Sequence, residues 1–210
     1  MRFLTAAAIA LACAARGETL DRIAVAIEKH VITESEVLRD LRVSAFIDQK
    51  PPDLSGASKR KAADRLIDQY LILQEAALSH ITLLTVAETQ APLDHLKAQY
   101  GADYQAALAR YFITEQDVID QLAEGLRTLR FTDLRFRPEI QLSTDDLTDF
   151  YNTLVQGWKR ENRSPIPSFE ESRDTVEKLL TDQRTMQSLD RWLGATRTET
   201  KIRYRDEVFK

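Results

Sequence analysis

Three histidines, one cysteine and a handful of adjacent acidic pairs are what this chain of 210 residues offers to chemistry, and their spacing assembles no reactive site. His30, His80 and His95 have neither metal-ligand spacing nor a neighbouring cysteine. His30 reads as a turn residue, and His80 and His95 as surface or helix-end residues. Asp145 with Asp146 and Glu170 with Glu171 fall in the first turns of expected helices, where the positive end of the helix dipole accounts for them without catalysis. No serine nucleophile stands in a strand-to-helix elbow, and none of the six glycines falls in a phosphate-binding pattern. Lys159, Arg160 and Arg163 read as solvated loop cations. The expectation is a protein without catalytic residues, metal, nucleotide or other cofactor, and so not an enzyme.

What remains is apolar surface. Aromatic side chains crowd the middle of the chain, and most must fill the core because helices bury their own stripes first. Trp158 is the first candidate for contact with a partner, since it stands in a polar stretch, QGWKRENRSPIP, without helical neighbours. Phe150, Tyr151, Tyr111 and Phe112 complete the candidate set. Burying a partner's apolar side chains against such residues contributes roughly 25 cal/mol per Å².

The elements that must position them are legible from caps and periodicity. Ile23, Val25 and Ile27 alternate with Ala24, Ala26 and Glu28, the pattern of a half-buried strand. A turn at Glu28 to His30 leads into Val31 and Ile32, and Thr33 with Glu36 forms a capping box that starts a helix at Glu34. Ile202 and Tyr204 alternate with charged residues at the other terminus and are the expected partner strand. Between them lie helices over about Lys59 to Ser79, a segment opened by Thr85 with Glu88 or by Pro92, and a short helix from Asp103 to Arg110. A long helix follows from Thr114 to about Phe136. After an extended Glu139 to Leu142, Ser143 or Thr144 caps a short helix with Leu147, Phe150, Tyr151 and Leu154. A linker over 156–167 follows, and Ser168 with Glu171 opens a last long helix, closed by Gly194 as C-cap. The fold class expected is mainly α, a multi-helix core with a small β-sheet joining the N-terminal hairpin to the C-terminal strand.

Residues 1–17 combine an early Arg2, an apolar run from Phe3 to Ala15 and small residues before Glu18, the pattern of a secretory signal peptide. Cleavage after Gly17 is expected, with Ala12 and Ala14 as alternatives. The run is too short for a membrane span of about 20 residues. Cys13 lies inside it, so the mature chain carries no thiol; a loose lipobox ending at Cys13 is the alternative, giving a lipoprotein. Cleavage removes Arg2 and Arg16 and takes the formal charge from −4 to −6, which disfavours nucleic acid and anionic membrane as partners.

The order of these segments resembles the SurA-type periplasmic chaperones. The likeness rests on DRIAVAIEKHVITESEV at Asp21–Val37, ADRLIDQYLILQEA at Ala63–Ala76, ITEQDVIDQL at Ile113–Leu122, EIQLSTDDLTDFYN at Glu139–Asn152 and PSFEESRDTVEKLLTDQRTMQSLDRWL at Pro167–Leu193. These are packing patterns and carry no catalytic letters. The resemblance implies a SurA N-terminal-like helical chaperone segment over 18–155 and a C-terminal helix and strand over 168–210 that pack back on it. It departs from the family where a parvulin prolyl isomerase module usually sits, because only 156–167 remains and a domain needs on the order of 50 residues. The resemblance therefore implies a periplasmic, ATP-independent holdase that binds unfolded envelope or outer-membrane proteins through an apolar groove, without isomerase activity. The alternative is a non-catalytic scaffold or subunit dedicated to one envelope partner.

Overall fold

The computed structural model describes residues 21–81 and 86–210; the expected signal peptide over 1–17, with Cys13, and the Thr85 end of the second capping box lie outside them. The chain begins with strands β1 (Ile23–Ile27) and β2 (His30–Thr33), antiparallel across a turn in which Glu28 takes φ 50°. His30 thus belongs to β2 and stacks on Tyr70, ring centroids 4.4 Å apart. Thr33 then caps α1 (Glu34–Ile47): its N–H donates to Glu36 Oε2 at 2.7 Å while its hydroxyl accepts from the Glu36 N–H.

The last strand, β3 (Ile202–Tyr204), pairs antiparallel with β1, so the sheet runs β2-β1-β3 and joins the two ends of the described chain as expected. The simple alternation along β1 does not hold. A register irregularity between Ile23 and Val25 leaves Ile23 42% exposed while Ala24 and Val25 are both fully buried. Helix α2 (Gly56–Leu78) starts three residues before the expected Lys59, capped by Ser55. Gly56 is required there: a Cβ would come within 1.8 Å of the Phe209 carbonyl oxygen, so the C-terminus lies directly on the start of α2. Val25, Ile27, Val37, Ala63 and Ile67 form the fully buried centre of this region, with Val208 closing one side.

Helices α3 (Gln90–Tyr100), α4 (Tyr104–Tyr111) and α5 (Glu115–Arg135) follow. Pro92 sits in the first turn of α3, where its missing N–H costs nothing. Tyr100, Tyr104 and Tyr111 surround the buried Phe46 of α1, and Thr114 with Asp117 caps α5 as expected. Of the expected extended Glu139 to Leu142, Glu139 ends a 3₁₀ turn (Arg137–Glu139) and Ile140 takes an extended backbone, and among the described residues the segment joins no sheet.

Two further expectations are corrected at the C-terminal helices. Helix α6 (Thr144–Arg160) continues through Gln156–Arg160, which shortens the linker and places Trp158 on a helix, its ring edge-on to Tyr151 two turns earlier. Nothing in QGWKR forbids a helix, and the aromatic contact rewards it. Helix α7 (Phe169–Glu199) runs through Gly194 instead of ending there. The extra turn carries Arg197 onto α2, where its Nε donates to Asp68 at 2.7 Å and its Nη2 to the Asp64 carbonyl at 2.7 Å. The first half of α7 packs on α6 to form a two-helix arm; the second half enters the body, where Trp192 meets Phe131 and Phe136. Leu78, Leu129 and Leu179, which periodicity assigns to buried stripes, stand exposed.

Candidate functional site

Where α1, α2, α5 and α7 come together they leave an open groove of about 680 Å³. Its walls are apolar. Leu122, Leu126 and Leu129 rise along α5, facing Ile72 of α2 and Leu189 and Leu193 of α7. Helix α5 explains the geometry: it leaves its cap with Val118 fully buried, but Leu122 and Leu126 are half-buried and Leu129 is 55% exposed. The same stripe thus passes from core to groove wall. Pro92 of α3 and Ile47 of α1 complete the rim. The volume falls within the roughly 300–1,000 Å³ of ordinary ligand pockets, enough for several side chains of a polypeptide.

One flank of the groove is polar and firmly held. Asp40 of α1, 3% exposed, accepts from Arg65 Nη2 of α2 and from Gln121 Nε2 of α5, the latter at 3.2 Å. A buried carboxylate needs such partners, because leaving it unpaired is strongly destabilising. Burial pushes the Asp68 carboxyl above the usual range, against the opposing bond from Arg197. Burial likewise raises Tyr204, whose hydroxyl donates to Asp64, to about 12. Behind the Asp40 bridge lies a second cleft of about 330 Å³, between β2, α1, α2 and α5, where Ile32, Leu66, Tyr70 and Leu73 stand beside the carboxylates of Glu36, Asp117 and Glu124.

The sequence-selected aromatics are not brought together, and none lines the groove. Phe150, Tyr151 and Trp158 share the half-buried face of α6 in the arm, where the Tyr151 hydroxyl donates to the Pro167 carbonyl at 2.8 Å. Tyr111 is committed to the body, edge-on to Phe46 and donating to the Lys50 carbonyl at 3.0 Å. Phe112 is 79% exposed at the end of α4 with φ 55°, the Arg42 guanidinium 5.7 Å from its ring centre. The groove leucines escaped selection because their helical spacing is that of any core stripe. Among the described residues no group of three or more His, Cys, Asp or Glu is placed to hold a metal ion, and no helix is long and apolar enough to cross a membrane. No family model matches the chain, and no curated protein matches it.

Proposed function

We propose that the protein is a periplasmic, ATP-independent holdase that keeps unfolded envelope or outer-membrane polypeptides from aggregating by burying their apolar side chains in the groove, without isomerising prolines. The observation that carries this reading is the open leucine-walled groove itself, with Leu129 more than half exposed at its edge. The signal-peptide pattern of residues 1–17 and the resemblance of the segment order to SurA-type chaperones support the compartment and the client class. Each buried client leucine or phenylalanine contributes roughly 1.5–3 kcal/mol, while association costs about 4–15 kcal/mol. Several side chains must therefore dock at once, and protection is stoichiometric.

The test adds purified mature protein to an unfolded outer-membrane protein and follows light scattering, beside a proline-limited refolding assay. Aggregation is suppressed at near-equimolar protein with no acceleration of the proline phase, and Leu126→Asp abolishes the protection while the melting curve shows the protein folded. Substoichiometric acceleration of the proline phase overturns the non-isomerase reading. Failure to protect several unrelated clients favours the dedicated scaffold.

A further inference from the structure

The sheet has two edges, and the chain treats them differently. At the β2 edge the Thr33 N–H is taken by Glu36 Oε2 at 2.7 Å, so the cap of α1 closes that end. The β3 edge is open. Arg203 stands opposite Ala26, the Glu28 N–H donates to the Lys201 carbonyl at 3.1 Å and the Arg205 N–H to the Ala24 carbonyl at 2.8 Å, so the ladder extends over Lys201–Arg205. In such a ladder alternate residues turn their backbone groups to opposite sides, which leaves the N–H and carbonyl of Ile202 and of Tyr204 pointing away from β1. Among the described residues nothing bonds to them, and no element other than β1 packs along β3 to a comparable extent. Side chains alternate as well. Ile202 and Tyr204 pack on the core, while Lys201, Arg203 and Arg205 stand exposed in a row on the outer face. None of the three cations has an ion pair among the described residues, and Asp206, next in the chain, pairs instead with Arg60.

We propose that the β3 edge docks an extended acidic segment of another polypeptide, which adds to the sheet beside β3 and sets carboxylates at alternate positions against Lys201, Arg203 and Arg205. This surface is separate from the groove and does not depend on it. The open backbone groups of Ile202 and Tyr204 bind any extended chain, so the cations decide which one is admitted. In an antiparallel addition the residue opposite Arg203 sits in a non-hydrogen-bonded pair, with Cα atoms about 4.5 Å apart, where side chains are closest. A carboxylate there meets the guanidinium, and those two positions to either side meet Lys201 and Arg205. The same row disfavours a second copy as the occupant. Two-fold pairing of β3 with itself sets Arg203 opposite Arg203 and Lys201 opposite Arg205, like charges in every outer pair. Cations that only keep edges apart leave an acidic strand unbound as well, which separates the two roles by experiment.

The experiment measures fluorescence anisotropy of labelled peptides, about 11 residues long, in which Thr alternates with Glu, Gln or Lys, added to the full mature chain. The Glu peptide binds about tenfold more tightly than the Lys peptide at low salt, and the gap narrows to about threefold at 0.5 M salt, where the screening length is a few ångströms. Backbone N-methylation of the Glu peptide at its Thr positions, whose N–H groups face Ile202 and Tyr204, abolishes binding. N-methylation at its Glu positions, whose N–H groups face away, leaves binding in place. Arg203→Glu shrinks the preference for the Glu peptide, and Lys201→Glu combined with Arg203→Glu inverts it, while melting curves show both variants folded. Equal affinity for the three peptides overturns the site, as does a Glu preference that persists in the double variant or binding that ignores N-methylation at the Thr positions. Absence of binding overturns it too, and self-association of Arg203→Thr in sedimentation then assigns the row to keeping copies apart.

Discussion

In the body around β1, the side chains of Val25, Ile27, Val37 and Ile67 have no exposed surface; in the arm, only Leu147, Ser172, Val176 and Leu180 are buried. The contrast does not follow amphipathic strength, since α6 has the most sharply two-faced sequence of the helices and only one buried residue. It follows the number of layers. Helices α1 and α2 lie between the sheet, α5 and the C-terminal residues, so each is covered on several sides. Helix α6 packs on α7 and on no other described element to a comparable extent. Two helices in contact cover one stripe each, and the flanks of that stripe, Phe150, Tyr151, Leu154 and Trp158, stay half open. Apolar patterning thus states what a helix can bury, and the layers around it state what it does bury.

The largest effect that sharpens this comparison comes from opening the body at its end. Truncation after Thr200 removes β3, the fully packed Val208 and the Phe209 contact over Gly56. The cost is about 5 kcal/mol out of a usual total of about 5–15, and the melting temperature falls by roughly 10–20 °C. An unchanged melting curve breaks the picture of a body closed by the pairing of β1 with β3.

A smaller effect separates the arm. Leu147→Ala removes its best-buried leucine at a cost of about 2 kcal/mol, the low end for core leucines, because the half-open arm can close around the gap. Trp158 reports on the arm and Trp192 on the body, so Trp192→Phe isolates the first signal and Trp158→Phe the second. Leu147→Ala lowers the midpoint of the Trp158 transition and leaves the Trp192 transition nearly in place. Equal shifts in both mean that arm and body unfold as one unit.

Acid gives the smallest and most selective change. The Arg184 guanidinium, with the Ser143 cap, holds Asp146 well below the usual carboxylate range, and the Ser168 hydroxyl and N–H lower Glu171. A depressed folded pKa contributes stability that is complete above the unfolded value of about 4 and is lost as the pH falls through the folded one. In the body Asp21 and Asp53 are lowered too, by the hydroxyls of Ser35 and Ser58, but Asp68 runs the other way, since burial raises it and its protonation in acid favours the folded state. Between about pH 5 and pH 2, Trp158 emission shifts to the red before Trp192 emission does. Simultaneous shifts remove the electrostatic distinction between the two regions.

Much of the fold was legible because its signals are local. Thr33 with Glu36, Thr114 with Asp117 and Ser168 with Glu171 each cap the helix they announce, since a capping box needs only four consecutive residues. The pairing of the two end strands was legible for a different reason: few other segments had the period of a strand. Gly194 misled because a glycine stops a helix only where no later contact rewards continuation, and Arg197 supplies that reward from α2. Trp158 misled because polar neighbours say nothing about a partner two turns back on the same helix.

The candidate site was the least legible part. Leu122, Leu126 and Leu129 were visible as an apolar row, but whether such a row meets a neighbour or an open groove depends on where α1, α2 and α7 stop. The sequence by itself determined the mainly helical class, the helix starts at Thr33, Thr114, Ser143 and Ser168 and the strand character of both end segments, because backbone caps and side-chain periodicity act over a few residues. Only the tertiary structure decided which apolar side chains stay uncovered and that a second cleft lies behind a buried Asp40. Burial and electrostatic field are sums over residues distant in the chain, and no local pattern carries them.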